Sequence, residues 1–266
     1  MGKSRWCNWP VEGWSGWAAI GIDFFGGEIP VATVELLPFH CAPVIARLRK
    51  LLRESPTGAR VIPFAVFVAL TSLQGLFGET SAYWVYFLKT VAGAWLVRET
   101  WPAVEEMRWR ITPVAVLTGA GVFVVWVGLD PYYPKMFSSG ETWNPERVFG
   151  AQAALAWFFI GVRVVGSSLV VPAIEEVFYH SFLYRTIAQP DFQAVPVGRF
   201  AWLPFVATSC VFGLAHREWL AGILCAAAYQ GLVCWRKNLG EAMTAHAVTN
   251  LLLGGYVVAR GAWNFW

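Results

Sequence analysis

Charged side chains are scarce in this sequence of 266 residues, because Asp, Glu, Lys and Arg together make up 14% of it. An average soluble domain has roughly 25%. Hydrophobic residues reach 57%, so a soluble globule of this size could neither bury its apolar surface nor cover itself with charge. The composition therefore argues against a soluble enzyme, a disordered chain and a nucleic-acid-binding protein, and we expect no nucleic-acid partner.

The sequence also lacks the spacing patterns of cysteine and zinc chemistry. Its five cysteines are odd in number and no pair has the CxxC spacing, so we expect neither a disulfide framework nor a thiolate zinc site. It contains no HExxH zinc motif. The first forty residues contain no long uninterrupted apolar run, and we interpret residues 1–60 as an interfacial lead-in segment that is not a signal peptide.

The remainder of the chain is rich in long apolar runs. A helix needs about 20 mainly apolar residues to cross a hydrocarbon core of ~30 Å. Eight such runs are separated by polar connections: 61–77, 81–97, 111–129, 148–165, 167–187, 200–215, 219–235 and 239–258. The sequence therefore predicts an all-α, polytopic transmembrane bundle of about eight spans, in which residues 61–266 form one helical domain. The 16 tryptophans fit positions at the membrane–water interface.

Basic residues set the predicted orientation. The four basic residues within 47–53 precede the first span and favour a cytoplasmic location for the N-terminal side. With eight spans, the pair Arg236–Lys237 falls on the opposite side, against the positive-inside rule. Two interpretations then stay open: a late segment is re-entrant, or the pair is tolerated. Lys89 and Arg163 lie near the ends of predicted spans, and we expect both to snorkel toward the membrane surface.

Two adjacent glutamates, Glu175 and Glu176, stand in the fifth predicted span. A charged side chain at the bilayer centre costs about 2.5–3.5 kcal/mol on insertion scales, so we expect both carboxylates to have partners. On a helix the two side chains point about 100° apart, and Glu176 shares a face with His180, four residues further on. The two carboxylates can therefore differ in role: one reaches a reacting centre, and the other bonds within the protein.

Two later spans each carry one histidine. His216 ends the segment Phe212-Gly-Leu-Ala-His216, and His246 shares a helical face with Asn250, four residues further on. Ionisable groups inside a membrane are candidates for function. A carboxylate pair, two histidines and an amide from three spans supply a general base, an acid and a donor for an oxyanion. Those are the groups needed to activate water against a peptide bond.

These motifs resemble the EExxxR, FxxxH and HxxxN motifs of the CAAX protease and bacteriocin-processing (CPBP, or Abi) intramembrane proteases, in the same order. The chain carries them as Glu175-Glu176, Phe212-Gly-Leu-Ala-His216 and His246-Ala-Val-Thr-Asn250. From residue 61 onward, the chain is similar to the CAAX-protease-related branch that accompanies exosortase and PEP-CTERM sorting systems in bacteria. That similarity includes residues 127–130, 144–145 and 191–192 and the tryptophan-rich tail.

The resemblance implies a multi-pass protein of the bacterial inner membrane. It implies an endopeptidase that cleaves membrane-anchored peptides or protein tails, with sorting-system proteins as partners besides the lipid bilayer. Glu175 would be the general base, assisted by His216, and Glu176 would orient the site through hydrogen bonds. His246 and Asn250 would stabilise the oxyanion.

His180 departs from the family pattern, which has arginine at that place. Histidine titrates near neutral pH whereas arginine keeps its charge, so this accessory residue makes activity pH-dependent, weakens it, or marks a protein that has lost catalysis. Three alternatives stay open. One is a divalent metal such as zinc, with Glu175, Glu176, His216 and His246 as candidate ligands. The others are a non-catalytic immunity or assembly protein of the same fold, and a proton-coupled transporter.

Overall fold

The computed structural model describes residues 41–136 and 143–266, and within them the chain is helical and contains no strand. The α-helices are α1 Cys41–Glu54, α2 Pro56–Thr71, α3 Ser81–Thr100, α4 Pro113–Leu129, α5 Pro145–Phe149, α6 Ala154–Val165, α7 Val171–Glu176, α8 Tyr184–Ala188, α9 Trp202–Leu214, α10 Trp219–Arg236 and α11 Leu239–Arg260. Two π-helical segments, Gly166–Val170 and Val177–Leu183, join α6, α7 and α8. Short 3-10 turns occupy Asp130–Tyr132, Phe192–Ala194 and Trp263–Phe265.

Three helical stretches of the described chain are long and apolar enough to cross a membrane: Pro113–Tyr132, Ala154–Ala188 and Leu239–Arg260. Pro56–Thr71 and Trp202–Leu214 are shorter apolar helices. The predicted all-α, polytopic helical membrane protein is confirmed. Of the predicted lead-in segment, residues 41–60 form α1 and the start of α2, and the first forty residues lie outside the described residues.

Two of the predicted spans, 148–165 and 167–187, form one continuous helical stretch of 35 residues, Ala154–Ala188. Gly166 does not end the helix. It allows α3 to approach, because an added Cβ would lie 2.8 Å from the hydroxyl oxygen of Thr90. Counted from α2 to α11, the described residues therefore hold seven long helical stretches, with α6, α7 and α8 taken as one.

Because the described residues form seven long helical stretches and not eight, several connections that carry basic residues lie at the same end of the bundle. Glu241, in the first turn of α11, accepts a hydrogen bond from Arg236 at 3.2 Å and lies 3.6 Å from Nε of Arg110. We call this end the basic face; it comprises residues 101–112, 189–201 and 236–238 and the N-terminal end of α2. The conflict that eight spans created for the pair Arg236–Lys237 disappears, because this pair joins the other cations.

Glu106 is the central anion of the basic face. Its carboxylate binds Arg60 and Arg185, each at 2.8 Å, and accepts a hydrogen bond from Ser181. Burial alone would raise the pKa of Glu106, but the charge of Arg60, the Ser181 hydroxyl and the charge of Arg185 together hold it below its ordinary value. Glu106 thus ties α2 and the 35-residue stretch to the connection that follows α3.

Several helices start at a polar cap, and the caps of α2, α4 and α5 are followed by proline. Ser55 accepts a hydrogen bond from the backbone N–H of Gly58 at 3.0 Å, and Thr112 accepts one from Ala115 at 3.1 Å. Proline occupies the next position in both helices, where its missing N–H has no helical partner to lose. Asn238 caps α11 in the same way.

Two glycines allow the close helix contacts that hold the histidine-bearing segments. A Cβ on Gly119 of α4 would collide with the carbonyl oxygen of Ala245 on α11. A Cβ on Gly213 of α9 would collide with Ile223 on α10, so α9 and α10 form a tight hairpin. Small residues at such contacts let helix backbones approach closely in membranes, and they fix the positions of His246 and of the turn that carries His216.

Candidate active site

A cavity of about 320 Å³ lies between the helices of the bundle. Four of the residues predicted from sequence line it: Glu175, His216, His246 and Asn250. They come from α7, from the turn after α9 and from α11, so three separate segments meet there. Glu176 and His180, the other two predicted residues, are buried to 0% and 2% exposure and lie behind the cavity wall.

Glu176 is held by two histidines. Its Oε2 lies 2.5 Å from Nδ1 of His180, and its Oε1 lies 2.8 Å from Nδ1 of His246. Since an ionised carboxylate only accepts hydrogen bonds, both imidazoles donate to it. His180, at the position where the family pattern has arginine, thus contacts the Glu176 carboxylate that His246 also contacts. Its other ring nitrogen, Nε2, is buried without a hydrogen-bond partner.

Glu175 differs from its neighbour in every contact. Its Oε2 is buried and has no hydrogen-bond partner, although its side chain lines the cavity. A buried acceptor without a donor costs roughly 1–3 kcal/mol, which a water or a substrate group in the cavity would recover. The structure therefore separates the two carboxylates as the helical spacing predicts: one faces the cavity and the other bonds within the protein.

His216 has its tautomer set by a backbone contact. Its Nδ1 lies 2.7 Å from the carbonyl oxygen of Phe212, and because a carbonyl cannot donate, Nδ1 must carry the hydrogen. In the neutral ring Nε2 then has a free lone pair. The ring is held edge-on by Trp126, with centroids 5.8 Å apart. His216 therefore presents a hydrogen-bond acceptor to the cavity that it lines.

Phe212 is the aromatic ring that His180, His216 and His246 share. Its centroid lies 4.6 Å from that of His216, 6.1 Å from that of His180 and 6.2 Å from that of His246. The side chain is 1% exposed. The sequence motif that contains Phe212 identified its position, but no spacing rule revealed that one ring would fix three imidazoles on different segments.

His246 and Asn250 are oriented by neighbours on both sides. The ring of Tyr229 stacks on His246 with centroids 5.2 Å apart, and the Tyr229 hydroxyl donates to Thr249 at 2.7 Å. Asn250 donates from Nδ2 to the backbone carbonyl of Ser167 at 2.8 Å. One amide hydrogen of Asn250 is therefore engaged, and one remains for the cavity.

Pro172 explains why the Ser167 carbonyl needs an outside donor. In the π-helical segment Gly166–Val170, the N–H of Val171 bonds to the carbonyl of Gly166, five residues earlier. The next bond in that pattern would run from residue 172 to Ser167, but proline has no N–H. The Asn250 amide takes that place and so links α11 to the helix that carries both glutamates.

Lys89 and Arg163 also line the cavity, and their expected snorkelling is wrong. Lys89 is 5% exposed, and its Nζ donates to Thr71 at 3.0 Å and to Gln74 at 3.2 Å. Arg163 packs its guanidinium against aromatic rings. Polar and aromatic partners inside the bundle replace the membrane surface, and no local sequence pattern indicates them.

Glu218, which lines the cavity between α9 and α10, is a further acidic group that the sequence did not suggest. Burial raises the pKa of its carboxyl above the ordinary value, and Arg217 counters this only in part. Glu218 lies near the residues after α11, since Arg217 donates to the backbone carbonyl of Asn264 at 2.9 Å. The cavity therefore extends to the end of the bundle opposite the basic face.

The candidate metal ligands do not form a metal site. Across residues 41–136 and 143–266, no three His, Cys, Asp or Glu side chains are grouped so as to hold one ion. Both oxygens of Glu176 are engaged by imidazole nitrogens, and Nδ1 of His216 faces a carbonyl. This donor set does not fit a zinc centre, which takes four ligands in structural sites and three protein ligands in catalytic ones.

Residues 153–252 match a family model, that of the Rce1-like family, described as type II CAAX prenyl endopeptidase Rce1-like. The matched range begins just before α6 and contains both glutamates, His180, His216, His246 and Asn250. Comparisons with curated proteins and with solved structures gave no match. Over a segment that contains all six predicted site residues, the chain is therefore similar to type II CAAX prenyl endopeptidases of the Rce1-like family.

Proposed function

We propose that the protein is an intramembrane endopeptidase that cleaves membrane-anchored peptides or protein tails with water activated by Glu175. The observation that carries this proposal is the Glu175 side chain, which lines the cavity together with His216 and His246 and whose Oε2 has no hydrogen-bond partner in the protein. A purely structural carboxylate in an apolar bundle would be bonded within the protein, as Glu176 is. The family match over residues 153–252 supports the reaction class.

The reaction needs one water molecule and the substrate carbonyl in the cavity. The water donates one hydrogen to Glu175 and the other to Nε2 of His216. As its oxygen bonds to the carbonyl carbon, Glu175 takes the proton, which is general-base catalysis. The carbonyl oxygen becomes an oxyanion. It accepts hydrogen bonds from protonated His246 and from the second amide hydrogen of Asn250. The C–N bond then breaks, and Glu175 delivers its proton to the leaving nitrogen, which gives an acid and an amine.

Glu176 and His180 act as positioning residues in this proposal. The Glu176 carboxylate accepts the Nδ1 hydrogen bond of His246 at 2.8 Å in a fully buried place. His180 supplies the second donor to the same carboxylate. Together they fix the ring of His246, with Nδ1 on Glu176 and Nε2 left for the oxyanion. The histidine at position 180 can thus do the work that the family pattern gives to arginine.

We further propose that the protein lies in a bacterial plasma membrane with the basic face toward the cytoplasm, in keeping with the positive-inside rule. Trp126, Glu218 and Trp266 line the cavity and stand at the helix ends remote from that face. The cavity would then be reached from the non-cytoplasmic side. Suitable substrates are membrane-anchored tails presented on that side, and an exosortase-type sorting system is the partner that we propose.

The experiment is to detect new peptide termini by mass spectrometry after the purified protein, in lipid nanodiscs, meets a mixture of membrane-anchored peptides. Glu175→Gln keeps the size of the side chain and removes the base, so the new termini should disappear. Glu105→Gln is the matched control, since Glu105 is an exposed carboxylate on the basic face. If Glu175→Gln yields the same termini as the parent, the proposed mechanism is wrong.

A further inference from the structure

Two cations share the cavity with Glu175 but have no carboxylate partner among the residues that the structure describes. The Lys89 ammonium donates only to the neutral side chains of Thr71 and Gln74. Among the described residues, the guanidinium of Arg163 has no hydrogen-bond acceptor, and it lies against the rings of Tyr86, Trp143 and Trp266. Five N–H donors of arginine and one of lysine therefore remain without a protein acceptor.

This pattern departs from the rest of the bundle. Arg60 and Arg185, which are 6% exposed each, both pair with Glu106. Arg236 pairs with the fully buried Glu241. A cation inside an apolar bundle is costly unless an anion accompanies it. Glu175 lines the same cavity but forms no ion pair with Lys89 or Arg163. Because the chain pairs its other buried cations directly with a carboxylate, we expect a ligand to supply the directly bonded anion at these two.

Lys89 and Arg163 lie at one level of the cavity. Nζ of Lys89 is 4.5 Å from the ring centroid of Tyr86, and the guanidinium carbon of Arg163 is 5.0 Å from the same centroid. The residue after Lys89, Thr90, packs against Gly166, three residues after Arg163. Both charges therefore lie against the Tyr86 ring and line the same cavity, and we call Lys89 and Arg163 the cation pair.

The surroundings of Arg163 favour a planar anion. Its guanidinium lies 4.5 Å from the ring centroid of Trp143 and 5.2 Å from that of Trp266. Aromatic rings on its faces hold a guanidinium through cation–π contacts and leave its edge free. The edge is the part of arginine that binds a carboxylate through two parallel hydrogen bonds.

We propose that Lys89 and Arg163 form a subsite that binds the carboxylate of a peptide substrate, supplied by the free end of its chain. This inference rests on the proposed function, and it names a specificity determinant of the same cavity. A carboxylate from an acidic side chain near the substrate's end has the same chemistry. A lipid phosphate would be a different ligand. The test separates these sources.

The experiment compares three forms of one stearoylated decapeptide library: a free C-terminal acid, a C-terminal amide, and the amide with Asp as its last residue. Cleavage is followed as kcat/KM in nanodiscs of phosphatidylcholine. Binding of each form is measured with the non-cleaving Glu175→Gln protein, so recognition is scored even without turnover. The parent should favour the acid over the amide by about 10- to 100-fold, the strength of charge-assisted hydrogen bonds.

Arg163→Gln and Lys89→Met should bring that preference close to one by slowing the acid form while the amide form is cleaved as before. Arg163→Lys should restore part of the preference. Arg98→Gln, which removes an exposed cation on the same helix as Lys89, should change nothing. If the Asp amide equals the acid, the carboxylate comes from a side chain, and the chain-end assignment is overturned.

Other outcomes overturn the subsite altogether. Equal slowing of all three forms by Arg163→Gln, with a lower melting temperature, means that Arg163 only stabilises the aromatic cluster. An effect confined to nanodiscs that contain phosphatidylglycerol means that the ligand is a lipid phosphate. An acid preference in binding without any cleavage by the parent supports the subsite and counts against the proposed protease function, so the two failures are distinguishable.

Discussion

Replacing His180 by alanine should destabilise the protein and slow the reaction without touching the cavity. The change removes the donor 2.5 Å from Oε2 of Glu176, a carboxylate with 0% exposure and one other donor, His246. Losing a hydrogen bond to a buried charge costs about 1.5–3 kcal/mol. At roughly 2–4 °C per kcal/mol for a chain of this size, the melting temperature should fall by about 3–12 °C.

His180→Arg provides the contrast that separates charge from packing. An arginine at this position carries a positive charge and N–H donors, whereas alanine supplies neither. We expect His180→Arg to recover the activity that His180→Ala loses. The assay is the rate of peptide cleavage together with thermal unfolding in detergent. Thr186→Ala on the same helical stretch is the control.

Three results would refute this account of His180. An unchanged melting temperature and rate in His180→Ala would mean that the contact with Glu176 contributes nothing. A His180→Arg protein that loses bound metal together with activity would establish histidine as a metal ligand. If neither protein cleaves any peptide while both bind one, the non-catalytic alternative gains support.

Two further predictions concern the helix contacts and the orientation. Asn250→Ala should cost about 1–3 kcal/mol of unfolding free energy because the Ser167 carbonyl loses its donor. The cost should be smaller in a Pro172→Ala background, because alanine at position 172 supplies an N–H. Strictly additive changes in a double-mutant cycle would contradict this. A phosphatase reporter that is active only outside the cytoplasm should be active when fused after Trp266 and inactive when inserted after Lys237; the reverse pattern would contradict the proposed orientation.

The roles of the glutamate pair and its partners were predicted from the local spacing of these residues in the sequence. Glu175 and Glu176 point apart on any helix, and His180 lies one turn beyond Glu176, so the separation of one free and one bonded carboxylate follows from the sequence. Apolar length predicted the helical class. To predict that His216 and His246 lie in one cavity, it was enough to assume that polar side chains avoid lipid.

Features that depend on contacts between residues far apart in the chain could not be predicted from the sequence. The continuity of the helix through Gly166 depends on how closely Thr90 packs there. Asn250 and Ser167 are 83 residues apart, and their hydrogen bond replaces the one that the missing backbone N–H of Pro172 would have donated. The sequence around Lys89 does not show whether the cation lies inside the bundle or snorkels, because the same sequence environment fits both cases.

The rate of peptide cleavage by Glu175→Gln, measured beside Glu105→Gln and the parent in the same nanodiscs, tests the central claim most directly. General-base catalysis is typically worth about 10²–10⁴-fold. We predict a fall in kcat of that size for Glu175→Gln, with the melting temperature and peptide binding of the parent retained and with Glu105→Gln unaffected. A Glu175→Gln protein that folds, binds peptide and cleaves it at the parent's rate would contradict the claim that Glu175 activates the water.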